Sequence, residues 1–161
     1  MDYYTVLVPE VRDDPLGRGY SGMTDAEAAA DLNTPSQTVV VSRRCDERVI
    51  IAEFEPSATA ADAFLDKLQL VAEDAGFAAH GLVAKVLKWL NVPVESGGGF
   101  DFGHPRTQAI APALVGQQGI TEAEVAALLA LANETQSRAQ QLGLGTVSSG
   151  HVKSAREQIG A

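Results

Sequence analysis

Residues 59–90, TAADAFLDKLQLVAEDAGFAAHGLVAKVLKWL, decide the fold. Apolar residues recur in both halves of this stretch at steps of three and four, a spacing that gathers them on one face of a helix. Gly76 separates the halves and is suited to end the first helix in the left-handed conformation. Pro93 marks the end of the second helix. The stretch therefore predicts two amphipathic helices that pair as an antiparallel hairpin.

Two Thr-x-x-Glu patterns, Thr24 to Glu27 and Thr121 to Glu124, predict two further helix starts. In this pattern the hydroxyl and the carboxylate each bind a free backbone N–H of the first helical turn. The first helix should end at Asn33, because Pro35 follows. We expect the second to be the longest helix of the chain and to continue to Leu142.

Several shorter elements follow from local signals. The run Val39 to Val41 favours one short strand, since stiff β-branched side chains fit an extended backbone. Residues 47–55, after Asp46, fit a short helix or a buried strand equally well. Pro112 should kink the helix that begins near Pro105. Ser148 or Ser149 can cap a final short helix.

Residues 1–22 do not fit a regular helix. Pro9 interrupts a short β-tending start, and residues 13–19 are rich in turn formers. We therefore expect an extended N-terminal arm or loop at residues 1–22 and a single helical domain at residues 23–161. The predicted fold class is mainly α, a small bundle of about five or six helices with at most one short strand or hairpin.

Composition limits the kinds of partner. The 161 residues carry a formal net charge of −9, which repels nucleic acid backbones and anionic lipids. No apolar run is long enough to span a membrane, and no secretory signal begins the chain. Cys45 is the only cysteine, so no internal disulfide can form. We expect a cytosolic protein that binds neither nucleic acid nor membrane.

The sequence contains no pattern that is typical of a catalytic, cofactor or metal site. Glycines 97–99 lack the order that wraps a phosphate. Asp101 and His104 have half of a hydrolytic arrangement, without a recognisable nucleophile. His80, His151 and Cys45 show no metal-ligand spacing. We expect no enzymatic activity, no cofactor and no metal.

The loop around residues 97–104 is instead a candidate contact site. Phe100 and Phe102 lie outside the predicted helices, with His104 directly after them. Such phenylalanines must be buried either in the protein's own core or in a partner. The loop is therefore predicted to take part in protein–protein contacts.

Two stretches resemble a family of small tailed-bacteriophage proteins. They are DPLGRGYSGMTDAEAAADLN at residues 14–33 and SRAQQLGLGTVSSGHVKSAR at residues 137–156. The resemblance implies a phage origin and a predominantly helical fold in which the two stretches pack together. It brings no catalytic residues. Within the first stretch, Arg18 and Tyr20 are added to the loop residues Phe100, Phe102 and His104 as candidate protein-interaction residues.

The resemblance sets the functional expectation. A phage structural or assembly protein, such as a connector, decoration or tail-accessory component, would contact other phage structural proteins as a homo-oligomer or in symmetric copies. It would be made in the host cytoplasm during infection and end in the virion. The alternative is a non-enzymatic phage module that stays inside the cell and engages a host protein, its acidic surface covering a basic site.

Overall fold

A computed structural model describes residues 2–160, so Met1 of the predicted arm and Ala161 of the predicted domain lie outside the described residues. The chain forms two compact units. Unit 1 combines the N-terminal residues up to Val39 with the C-terminal residues from Thr135, and unit 2 consists of Val40–Glu134. Unit 2 is therefore inserted between the two sequence halves of unit 1.

Within residues 2–160 the protein has nine α-helices, joined in places by short 3-10 turns. The helices are α1 Tyr3–Asp13, α2 Asp25–Asn33, α3 Glu47–Glu53, α4 Ala58–Glu73, α5 His80–Leu90, α6 Pro105–Ile110, α7 Glu122–Ala130, α8 Arg138–Gln141 and α9 Ser149–Ile159. The prediction of a mainly helical fold is confirmed. The number of helices is higher than expected, because α1 forms in the predicted arm and the predicted helix from Thr121 to Leu142 is broken into α7 and α8.

Four short strands accompany the helices in the described part of the chain: β1 Pro35–Val40, β2 Arg44–Cys45, β3 Phe100–Asp101 and β4 Asn133–Ser137. They form two separate pairs, β1 with β4 and β2 with β3. The second pair is antiparallel, with Arg44 opposite Asp101 and Cys45 opposite Phe100. The predicted valine strand is present as β1, while the other pair exceeds the expectation of one strand or hairpin.

The stretches at residues 14–33 and 137–156 lie together in unit 1. Helix α9 packs against both α1 and α2. Arg156 of α9 donates to the Asp25 carboxylate at 2.6 Å and to the carbonyls of Tyr20 and Met23 at 2.6 and 2.8 Å. One arginine thus joins the start of α2 to the last helix of the chain.

The prediction of an extended arm at residues 1–22 is wrong for half of its length. Residues Tyr3–Asp13 form α1, with Pro9 inside the helix and Asp2 as its N-cap. Leu7 and Val11 are buried in the core of unit 1. Their burial against α9 outweighs the loss of the Pro9 backbone donor, a tertiary effect that local patterns do not reveal.

A single domain at residues 23–161 is not what the structure contains either. Buried apolar residues form two separate clusters, one in each unit. The cluster of unit 1 includes residues from both ends of the chain, such as Leu7, Leu32 and Val152. The division follows from this sharing, because the terminal segments bury their apolar side chains in each other.

Unit 2 is built on the predicted hairpin. Helices α4 and α5 pack against each other, and α3 packs on α4. The start of α3 is fixed by Asp46, whose carboxylate accepts the Val49 N–H at 3.1 Å, which resolves the open choice in favour of a helix. Gly76 does not end α4, because the helix already stops at Glu73 with Asp74 as its cap.

The predicted long helix from Thr121 to Leu142 is broken. The capping box of Thr121 and Glu124 is present, but α7 ends at Ala130. Strand β4 follows, and Ser137 then caps α8 in a second capping box with Gln140. The pairing of β4 with β1 explains the break. Asn133, Thr135 and Ser137 permit it, since all three types have low helix propensity.

No helix between residues 2 and 160 is both long and apolar enough to cross a membrane.

Candidate functional site

Unit 2 contains an apolar cleft of about 480 Å³ that opens to solvent. Its walls come from α4, α5, β3 and the segment that follows β3 as far as Leu114. Apolar lining residues include Leu68, Val83, Val86, Phe100, Ile110 and Leu128. The volume falls in the range of ligand pockets, which are typically concave, apolar and sparsely polar.

Helix α5 forms one wall of the cleft and exposes large apolar residues there. Leu82, Val86 and Trp89 follow one another at steps of four and three, so they lie on one face of the helix. All three line the cleft. Leu82 is 43% exposed and Trp89, the only tryptophan of the chain, is 50% exposed. A helix face with exposed large apolar residues at the mouth of a cleft is typical of a contact surface.

The glycine loop, residues 97–99, supports the wall of the cleft that carries Phe100. Gly98 lies against the backbone of Val92, where an added Cβ would overlap the carbonyl oxygen. Gly99 has φ of +77° and its N–H donates to the carbonyls of Trp89 and Val92, both at 3.0 Å. The loop therefore folds onto the protein's own core and presents Phe100 to the cleft.

Asp101 and His104 both line the cleft, but their polar atoms hold the local backbone. The Asp101 carboxylate accepts from the Ser42 hydroxyl at 2.6 Å and from the backbone N–H groups of Arg43 and Gly103 at 2.9 Å. Burial raises the pKa of Asp101, and these hydrogen bonds outweigh that effect, so the pKa lies below its ordinary value. His104 Nδ1 accepts the Arg106 N–H at 3.1 Å and caps α6. Both side chains therefore stabilise the backbone of their own loop and of the start of α6.

Two arginines stand at the edge of the cleft. Arg44 and Arg106 are both lining residues and both are exposed. Arg44 donates to the carbonyls of Gly97 and Gly98. Neither arginine has a carboxylate partner among residues 2–160. The same holds for Lys85 and Lys88 of α5. Every other lysine and arginine of the described chain forms an ion pair. The uncompensated positive charge is therefore concentrated on and beside the cleft.

Two sequence segments that line the cleft are also free of acidic residues. Residues 75–94 and 102–121 contain no aspartate or glutamate, although the chain has 21 of them. These two segments supply α5, α6 and most of the cleft lining. The local charge is thus opposite in sign to the net charge of the protein.

Three of the five candidate interaction residues are brought together here. Phe100, Phe102 and His104 all line the cleft, with Phe102 buried and the Phe100 ring 5.5 Å from it in an edge-to-face contact. Arg18 and Tyr20 belong to unit 1 and play a structural part there. The Arg18 side chain is 11% exposed and binds Asp31 at 2.6 Å.

Tyr20 cannot form the surface contact that was expected of it. Its side chain is fully buried in the core of unit 1, and burial raises its pKa to about 12. An aromatic residue in a glycine-rich stretch suggests an exposed contact residue, but Tyr20 in the 3-10 turn Tyr20–Gly22 is buried.

Cys45 is also fully buried, in the core of unit 2. Burial raises the pKa of its thiol to about 11, which makes the thiol a poor nucleophile.

Sequence reasoning missed Trp89, Leu82, Arg44 and Arg106 as parts of a site. A signal for three of them was present, because two long acid-free segments are unusual in a chain this acidic. Residues 75–94 contain Leu82, two lysines and the only tryptophan, and residues 102–121 contain Arg106, whereas Arg44 lies in neither segment. For metal ligands, no group of three or more histidine, cysteine, aspartate or glutamate side chains within the described range is placed to hold an ion.

The fold and the site together define a two-unit, mainly helical protein with an apolar, cation-edged cleft in its second unit. Comparison with protein families, with curated proteins and with solved structures finds no match for this chain.

Proposed function

We propose that the protein is a bacteriophage structural or assembly component that binds a partner protein through the cleft of unit 2. The observation that carries this proposal is the open apolar cleft with Leu82 and Trp89 exposed at its mouth. Tryptophan is among the residues most enriched in the energetic centres of protein interfaces. A partner that covers these residues would remove a large apolar surface from water.

The chemistry of the cleft supports binding rather than catalysis. Asp101 and His104, its candidate acid–base groups, are occupied with the backbone of their own loop. A catalytic site needs such groups to be directed at a substrate. The remaining polar groups at the edge are arginines, which suit the recognition of carboxylates.

The phage setting rests on the resemblance of residues 14–33 and 137–156. Both stretches belong to unit 1, where they share one core. The cleft belongs to unit 2, where the resemblance is weakest. Unit 1 would then be the common body of the family, and unit 2 would carry the contact that is particular to this protein.

Quantitative mass spectrometry of purified particles tests the proposal. For the phage that encodes this chain, we expect the protein to be present at a fixed ratio to the major capsid protein. Absence from particles, with the protein abundant in infected cells, would contradict the structural role. That outcome would favour the alternative, an intracellular module that engages a host protein.

A further inference from the structure

We propose that the cleft takes an acidic amphipathic helix from the partner protein, with its apolar side chains in the cavity and its carboxylates facing Arg44, Arg106 and Lys85. This inference rests on the proposed function and adds the chemistry of the partner. It follows from the shape of the cleft, from the extent of its exposed apolar surface and from the position of the uncompensated cations.

The extent of the apolar surface points to a protein rather than to a small molecule. A ligand inside the cavity would cover residues such as Val83 and Leu128, but Leu82, Trp89 and Ile110 are 43%, 50% and 36% exposed at the mouth. Covering the mouth as well as the cavity requires a larger body. Protein interfaces have this anatomy, with an apolar centre and a charged rim.

The shape of the cleft favours a helix over an extended segment. The cleft is lined by α5 and by α6 with the following residues as far as Leu114, so helices supply much of its wall. An extended peptide would need a free strand edge, and the nearest strands, β2 and β3, are two residues long. An amphipathic helix offers apolar anchors at the three- and four-residue spacing that Leu82, Val86 and Trp89 also have.

The charges specify the polar face of that helix. Arg44 and Arg106 line the cleft without carboxylate partners in the described chain. Lys85 lies three positions after Leu82 and four before Trp89, so it neighbours both on the surface of α5. Asp101 is the only acidic lining residue, and its carboxylate is occupied by Ser42, Arg43 and Gly103. Acidic residues on the partner would complete these ion pairs.

Trp89 supplies the measurement, because it is the only tryptophan and lies at the mouth of the cleft. The probe is a designed peptide of about 18 residues with leucines at helical spacing, glutamates elsewhere and no aromatic residue. A second peptide carries lysine at every glutamate position. We expect the glutamate peptide to shift the Trp89 emission to shorter wavelength and to bind more tightly than the lysine peptide.

This preference distinguishes the effect of the cations at the cleft from the effect of the protein's net charge. A net charge of −9 attracts the lysine peptide and repels the glutamate peptide. Preference for the glutamate peptide can therefore come only from the cations at the cleft. Higher salt should weaken its binding, since the pairs are exposed.

Two double variants with the same change in net charge test the residues. Lys85→Glu with Arg106→Glu reverses charge at the cleft, and glutamate suits position 106 because it lies in the first turn of α6. Arg12→Glu with Lys153→Glu is the matched control, because both residues are exposed in unit 1 and neither lines the cleft. We expect the first variant to weaken binding of the glutamate peptide about tenfold and the control to change it less than about twofold.

The failure of this inference can be distinguished from the failure of the proposed function. Equal binding of both peptides, equal effects of both double variants, or no binding of the glutamate peptide would overturn the acidic helix. The proposed function would survive those results if the protein is found in particles. Absence of the protein from particles would contradict the proposed function, whichever peptide binds.

Discussion

Asn33, at the end of α2, forms hydrogen bonds to both backbone polar groups of Val147, a residue 114 positions away. Its side chain donates to the Val147 carbonyl at 2.7 Å and accepts the Val147 N–H at 2.9 Å. The amide also donates to the Ala29 carbonyl at 2.8 Å. One side chain thereby binds the backbone of the loop before α9 and joins residues 14–33 to residues 137–156.

Replacement of Asn33 with alanine should lower the free energy of unfolding by about 2 kcal/mol, since partly buried backbone groups lose their partners. Urea unfolding followed by circular dichroism measures the change. Asn91→Ala, at an exposed position of unit 2, is the control and should have little effect. Equal stability of the Asn33 variant and the wild type would contradict this account of unit 1.

The ion pair between Glu10 and Arg138 should behave as a buried pair. Both carboxylate oxygens lie 2.7 Å from guanidinium nitrogens, and the Glu10 side chain is 3% exposed. Glu10→Met or Arg138→Met alone should cost about 3 kcal/mol, because each leaves a charge without its partner. The double variant should cost less than the sum of the two. Additive costs in this double-mutant cycle would contradict direct coupling.

Stability should depend on pH through Asp46. Its carboxylate accepts the Val94 N–H at 2.9 Å, the Val49 N–H at 3.1 Å and a proton of Arg48, and these bonds lower its pKa. A lowered pKa in the folded state contributes stability above the unfolded value of about 3.9, and this contribution is lost as pH falls through the folded pKa.

Asp46→Asn should therefore be less stable than the wild type at pH 7, and the difference should shrink at pH 3. Other carboxylates titrate in both proteins, so only the difference between the two reports on Asp46. Urea midpoints at several pH values provide the measurement. A difference that stays constant from pH 7 to pH 3 would exclude this role.

Gly103 should tolerate no side chain. A Cβ at this position would overlap the backbone carbonyl of Val41, which would push the segment that carries Phe102 away from Val41. We expect Gly103→Ala to lower the free energy of unfolding by about 2 kcal/mol or more. Gly81→Ala is the matched control, since its Cβ meets open space in α5 and alanine favours a helix by up to about 1 kcal/mol. Calorimetry should show opposite shifts in Tm.

Elements defined by local chemistry could be predicted from the sequence. The capping boxes at Thr24 and Thr121, the hairpin of α4 and α5, and the helix start at Pro105 depend on neighbouring residues only. Helix α1 and the break after Ala130 could not be predicted. Both depend on distant partners, since α1 is held by α9 and β4 pairs with β1.

The candidate site was accessible in part. Phe100 and Phe102 could be recognised in the sequence as aromatic residues in a glycine-rich loop, and both line the cleft. Trp89 and Leu82 were hidden because an amphipathic pattern does not tell which apolar residues remain exposed. Arg44 reaches the cleft only through the β2–β3 pair, a contact between residues more than fifty positions apart.

Photo-crosslinking from position 89 tests the central claim most directly. The protein is produced during infection with a photoreactive phenylalanine analogue at Trp89, or at Leu70 as a control that is 51% exposed in the same unit but does not line the cleft. We predict a single crosslinked product from position 89 that contains a phage structural protein and persists in purified particles. Position 70 should give none. Crosslinks from both positions alike, only to host proteins, or from neither would contradict the account.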